Sequence, residues 1–248
     1  LSLGAIWRHK IKVHKKNMKG LKPPYILLCT HMSFVDFKVT TKALFPHRAN
    51  YIVAIDGFLI SEWLLRHVGC ICKRKFTNDI RLIRHIKYAL EINKSVVAIY
   101  PEARYSLIGT NAILPDSLGK MIKLLKYPVV MLNMHGNYLT SPVWNLKDRK
   151  VPLSADMEQI ITKEDSFSLS VDQINERIDK AFDYDEYRYQ RENQIKIDVD
   201  YRAEGLHRVL YRCPNCESEA HMSSKGASLM CGSCNKEWVM DAFGVLKA

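Results

Sequence analysis

The stretch Tyr25-Ile26-Leu27-Leu28-Cys29-Thr30-His31-Met32-Ser33-Phe34-Val35-Asp36 decides how this chain folds. It opens as an apolar run of strand length and ends in a histidine and a carboxylate. A second apolar run, Ser95-Val96-Val97-Ala98-Ile99-Tyr100, leads into Pro101 and Glu102, so both polar groups are expected just past strand ends. Strand ends are where α/β proteins place chemistry. Between such runs, Ile80 to Ile92 and Gly119 to Leu125 read as amphipathic helices, which predicts an α/β layered fold through about residue 150.

His31 and Asp36 have the makings of a base and its orienting carboxylate. Imidazole titrates near neutrality, and a carboxylate on one ring nitrogen fixes the tautomer and leaves the other to take a proton. Five residues along an ideal helix are about 140° out of alignment, so the pair is not a helix-face motif. A loop entering a helix brings them together: with Ser33 capping a helix from near Phe34, Asp36 lies in the first turn and His31 folds back onto it. The other reading is that Asp36 only serves the helix start and His31 is an ordinary strand-end histidine.

The spacing H-x-x-x-x-D, followed by Tyr100-Pro101-Glu102-Ala103-Arg104-Tyr105-Ser106, resembles the glycerolipid acyltransferases, especially the 1-acylglycerol-3-phosphate acyltransferases. Two more blocks fall in the family's order, Gly69-Cys70-Ile71-Cys72-Lys73-Arg74-Lys75 and Tyr127-Pro128-Val129-Val130-Met131-Leu132, and together they favour the dyad. The resemblance spans roughly the first 150 residues. It implies a layered mixed sheet with flanking helices and transfer of a fatty acyl group from acyl-coenzyme A or acyl carrier protein to a lysophospholipid hydroxyl. His31 would be the base and Asp36 its partner, while Glu102, Arg74, Lys75 and Arg104 would hold the acceptor's phosphate. Two blocks depart from the family pattern. Tyr105 stands at the family's arginine position with Arg104 one place earlier, Ala103 replaces a glycine, and Lys75 rather than Arg74 falls at the arginine of the Gly69 block. A surface turn at Glu102 and a solvated charge run at 73–75 are the plainer alternatives.

Charge is concentrated. Lys and Arg outnumber Asp and Glu by 25 to 8 in residues 1–150, fall to 7 against 14 in 151–205, and nearly balance at 5 against 4 in 206–248. Such a basic face draws anionic lipid, coenzyme A phosphates or an acidic carrier protein, and by composition alone nucleic acid. The opening Leu1 to Lys16 mixes apolar residues, Trp7 and a basic cluster, which suits an interfacial anchor or else a basic strand or helix of the fold itself. The chain has no apolar run of spanning length and no signal peptide, so the expected location is cytoplasmic, peripheral on the inner face of the cell membrane.

Cys213-Pro214-Asn215-Cys216 and Cys231-Gly232-Ser233-Cys234, separated by 14 residues, read as a four-thiolate zinc ribbon with Zn2+ in a closed structural site. A pair of disulfides is the alternative. The expected organisation is an acyltransferase core at 1–150, an acidic helical extension at 151–205 and the ribbon at 206–248. In the extension, Val171 to Phe182 has a helical apolar period, and Tyr184 to Tyr201 reads as a linker or an arm packing back on the core. Zinc ribbons also bind nucleic acid, so a basic binding protein without catalysis is the rival from another class. The near-neutral ribbon argues against nucleic acid as its partner. Cys29, Cys70 and Cys72 read as small core residues, and neither a G-x-S-x-G elbow nor a P-loop is present.

Overall fold

Unbroken apolar runs make strands that must be covered on both faces, and this constraint sets the architecture. The computed structural model describes residues 10–74 and 79–248. Strands β1 (Lys12–Lys16), β2 (Ile26–Cys29), β3 (Ala49–Ala54), β4 (Ile71–Lys73), β5 (Val96–Ile99), β6 (Val129–His135) and β7 (Ser154–Ile161) form one sheet in the order β1-β7-β6-β2-β5-β3-β4. From β6 to β4 neighbouring strands run parallel, whereas β7 is antiparallel to β6 and β1 lies parallel to β7. The mixed α/β sheet is the one expected.

Side chains alternate across each central strand. Leu27 and Cys29 enter one apolar layer with Val39, Ala43 and Leu44 of helix α1 (Asp36–Leu44). Ile26 and Leu28 enter the other, with Ile86 and Leu90 of α3 (Ile80–Glu91) and Ile122 of α4 (Ser117–Leu125). Helix α2 (Ile55–His67) connects β3 to β4. All the central parallel strands point their carboxyl ends the same way, so the loops after β2, β5 and β6 meet at one rim.

The sheet takes a strand from beyond residue 150. Acidic composition hides β7 in the sequence, yet Ala155, Met157 and Ile161 are buried on it. After the short α6 (Lys163–Ser168), α7 (Val171–Ala181) covers the second layer with Ile174 and Ile178, joined by Phe182 just past its end. Its start is set by Ser170, whose hydroxyl accepts from the Gln173 N–H while the Gln173 side chain accepts from the Ser170 N–H. Helix α8 (Glu186–Glu192) then packs the tyrosine-rich arm against the rim.

Of the opening basic segment, residues 1–9 lie outside the described residues. Lys12 to Lys16 form the edge strand β1, whose exposed lysines are a common protection against edge-to-edge pairing. Among the described residues no helix is long and apolar enough to cross a membrane.

At the C-terminus, β8 (Met222–Lys225), β9 (Ser228–Cys231), β10 (Glu237–Met240) and β11 (Leu246–Lys247) make an antiparallel ribbon. Its small core borrows Trp144, Ala203 and Leu206 from outside the ribbon strands. Because Phe182 is completely buried where α7 meets the sheet, Phe182→Ala should destabilise the protein by about 3–5 kcal/mol, read from urea unfolding followed by circular dichroism.

Candidate active site

Strand β2 delivers His31 to the rim and the chain turns at once into α1, with Asp36 as the first helical residue. The expected cap is different in kind. The Ser33 hydroxyl does not cap the helix but donates to the Asn137 carbonyl at 2.7 Å. Asp36 itself reaches back over the turn. Its Oδ2 accepts from the Met32 N–H at 2.7 Å and lies 3.0 Å from His31 Nδ1, while its Oδ1 accepts from Asn137 Nδ2 at 2.8 Å. The Ser33 N–H reaches both oxygens at 3.2 Å. The carboxylate is therefore buried but fully hydrogen-bonded, which offsets the desolvation cost an isolated anion would carry.

With Nδ1 facing the carboxylate, the imidazole is left with Nε2 as its free nitrogen. Two tyrosine rings pack against it at a tilt, with centroid distances of 4.6 Å to Tyr100 and 4.2 Å to Tyr105. This explains what stands at the altered position of the second block: Tyr105 lies on His31. Two residues earlier, Ala103 adopts a left-handed backbone at φ 59°, the conformation that a glycine would take at least cost.

Glu102 sits on the adjacent strand end and fastens two loops. One oxygen accepts the His31 N–H at 2.7 Å and the other the Ala112 N–H at 2.8 Å. Burial raises its pKa, and those two hydrogen bonds act against the rise. The cations are arranged otherwise. Arg104 is exposed just past Glu102, and Arg74 is exposed past β4, three strands from β2 or roughly 14 Å at ordinary strand spacing. Neither makes an ion pair among the described residues, and Lys75 lies outside them. A groove of about 570 Å³ runs along β4, lined by Phe58, Ile71 and Ala89 together with Arg74, Arg81 and His85.

Sequence reasoning missed Asn137. Gly136 puts it in place by turning the chain at φ 84°, where a Cβ would collide with the Pro152 carbonyl. The available signal was that the apolar run into β6 ends in His135-Gly136-Asn137, beside β2 in the parallel order. Also missed was Glu186, completely buried behind the rim, where the Tyr184 hydroxyl and the Gly136 and Leu139 N–H groups face its carboxyl without closing a hydrogen bond. Burial pushes its pKa up to about 8. Cys29 is fully buried and its thiol is pushed far above the usual range by desolvation, so no thiolate nucleophile is available beside His31.

The four ribbon cysteines bring their sulfurs within 4.8 Å of one another. Cys213 to Cys234 is 3.8 Å and Cys216 to Cys231 is 3.7 Å, close to the edge of a tetrahedron with metal–sulfur bonds of about 2.3 Å and too long for a disulfide. The N–H groups of Asn215 and Cys216 point at Cys213 Sγ at 3.4 and 3.5 Å, as suits a thiolate. These residues fit a metal ion.

The family model described as Acyltransferase matches residues 10–134, just over half of the chain. The chain belongs to the acyltransferase family. The fold of this acyltransferase is similar to the crystal structure of the 1-acyl-sn-glycerophosphate (LPA) acyltransferase PlsC from Thermotoga maritima. That similarity has a TM-score of 0.57 at 15% identity, covering 78% of this chain and 76% of that one. No match is found among curated proteins.

Two consequences of this geometry are measurable. Asn137→Ala takes one donor from the buried Asp36 carboxylate and should cost about 1.5–3 kcal/mol of stability, read from denaturant unfolding. The second concerns pH. Folded Glu186 keeps its proton to about pH 8, whereas the unfolded chain releases it near the ordinary 4.5, so stability falls as pH rises between those values. Glu186→Gln removes that slope, and wild type should lose up to a few kcal/mol relative to the variant between pH 5 and 8 in parallel unfolding series.

Proposed function

We propose that this acyltransferase moves a fatty acyl group from acyl-coenzyme A or acyl carrier protein to a lysophospholipid hydroxyl, turning 1-acyl-sn-glycerol-3-phosphate into phosphatidic acid. The observation that carries the reading is the 3.0 Å contact of His31 Nδ1 with a buried, fully hydrogen-bonded Asp36. In this mechanism the acceptor hydroxyl approaches His31 Nε2 and gives up its proton as its oxygen attacks the thioester carbonyl. Asp36 stabilises the imidazolium, and the proton passes to the departing thiolate as the tetrahedral intermediate collapses. No enzyme nucleophile takes part. The N–H groups of His31, Met32 and Ser33 are occupied by Glu102 and Asp36, so the amides that stabilise the oxyanion come from elsewhere along the rim.

Arg104 and Arg74, exposed and without protein partners among the described residues, are the cations we assign to the acceptor phosphate or the donor's anionic groups, with Lys75 beside Arg74 in sequence. Glu102 then contributes by holding the His31 backbone in register with the loop that carries Arg104. A second reading of the acceptor is favoured by one specific observation. Tyr105 covers His31 where the family pattern has arginine, which fits a headgroup other than glycerol phosphate.

Membrane engagement is part of the proposal. Phe34 is 81% exposed three residues from His31, and Phe37 is 48% exposed one turn on, set in the basic first part of the chain. Such a face suits anionic lipid at the inner face of the cell membrane. For the ribbon we propose zinc, which would cross-link a segment whose own core is small.

The deciding experiment measures thiol release from palmitoyl-coenzyme A, and from acyl carrier protein donors, against a panel of lysophospholipids. Acceptor-dependent turnover should fall by roughly 10²–10⁴ in His31→Ala at matched folding. Turnover indifferent to that change would remove the dyad from the mechanism, and no turnover with any donor would overturn the assignment. Elemental analysis should find one zinc per chain, lost in Cys213→Ser; a metal-free native protein would exclude the site.

A further inference from the structure

Helix α5 (Asn137–Thr140) ends in a turn whose Trp144 is only 2% exposed, yet its ring belongs to the apolar core of the ribbon with Cys213, Met222, Leu229 and Cys231. Its Nε1–H points the other way and donates to the Tyr138 hydroxyl at 2.7 Å. Tyr138 in turn donates to the Leu107 carbonyl at 3.0 Å. Leu107 follows Ser106, whose N–H donates to the His31 carbonyl at 2.8 Å, and Tyr105, whose ring lies on the imidazole. Space is closed along the same path. A Cβ on Gly109 would come within 3.0 Å of the Tyr138 ring, and one on Gly205 would collide with the Trp144 carbonyl.

We infer that Tyr138 is a positioning residue for His31, and that the ribbon acts on the dyad by holding Tyr138 through Trp144. The inference rests on His31 being the base of the proposed reaction. The physical argument is one of accounting for orientation. Asp36 fixes one edge of the imidazole, but the tilt of the ring depends on Tyr105, which sits on a loop exposed to solvent at Ala103, Arg104 and Leu107. That loop carries no strand or helix of its own, so the hydrogen bonds of Glu102, Ser106 and Tyr138, with the Glu186 N–H donating to the Gly109 carbonyl at 2.8 Å, define its course. Tyr138 connects it to the ribbon core through Trp144. A phenol anchored at both ends of its hydroxyl has one orientation, and the donor fixing it comes from a side chain that the ribbon encloses. Displacement of a positioned base by about an ångström costs rate without costing substrate affinity.

The test uses full-length protein, with Tyr138→Phe and Trp144→Phe removing one hydroxyl and one N–H respectively. Trp238→Phe is the control, since Trp238 packs on the same ribbon cluster without touching Tyr138's hydrogen bonds. The first readout needs no turnover: the imidazole nitrogen resonances of His31, assigned by their loss in His31→Ala. Both Tyr138→Phe and Trp144→Phe should shift or broaden them, Trp238→Phe should not, and zinc content should stay at wild-type level in all three. In turnover, each of the two should lower kcat by about tenfold with KM changed less than twofold, and the double variant should fall no further than Tyr138→Phe. Unmoved His31 resonances overturn the inference, as do a kcat within twofold of an active wild type or additive losses in the double variant. An inactive wild type would count against the acyl-transfer reading alone, because the resonance measurement still decides the coupling.

Discussion

A carboxylate taken out of water must find its solvation in the protein, and Asp36 makes the rest of this site follow from that requirement. An unpaired buried anion would carry a penalty of several kcal/mol. Here the donors come from the turn after β2, from the imidazole, and from Asn137 at the end of β6. Two strands of the sheet, β2 and β6, must therefore be in register before the anion is stable. The parallel order β6-β2-β5 supplies that register, and the first turn of α1 adds its favourable dipole. Burying Asp36 thus fixes the Nδ1 edge of His31, while the contacts of Tyr100 and Tyr105 with the ring bear on its tilt.

Glu102 repeats the logic on the neighbouring strand with two backbone N–H groups in place of an imidazole. The two carboxylates organise the rim from within, while Arg104 and Arg74 stay in solvent. Anions inside and cations outside make a surface that attracts phosphate without surrendering the inner hydrogen bonds to it. The excess of basic residues in the first 150 extends that field beyond the rim.

The features legible in the sequence were those written in local periodicity. Unbroken apolar runs gave β2 and β5, the period of 3.6 gave α3 and α7, and the paired knuckles gave the ribbon. Less legible were features created by neighbours distant in sequence. Strand β7 carries Asp156 and Glu158 between its buried Ala155, Met157 and Ile161, and this apolar alternation gains its meaning once β6 lies beside it. Ser33 looked like a cap, but the Asn137 carbonyl and the Asp36 carboxylate claim its groups first. Asn137 and Tyr105 carry no motif of their own. Each takes its place because the parallel strand order brings its loop against His31.

The stretch after the sheet shows how burial changes the meaning of composition. Residues 184–201, full of charge and tyrosine, read as a linker or as an arm packing back on the core, and the structure shows the arm: Glu186 is completely buried and Tyr184, Tyr187 and Ile197 pack with Met32 and Leu139 beneath the rim. Tyrosine serves here because each ring fills space while its hydroxyl can reach a polar partner. The same stretch hands the chain on to the ribbon, where the Ile197 N–H donates to the Ala242 carbonyl and Arg202 to that of Met240. The floor of the candidate site and the core of the ribbon are two apolar clusters joined by these hydrogen bonds. A segment with a small core of its own is stabilised by Trp144, Ala203 and Leu206, and in return it covers the Trp144 ring, which is 2% exposed.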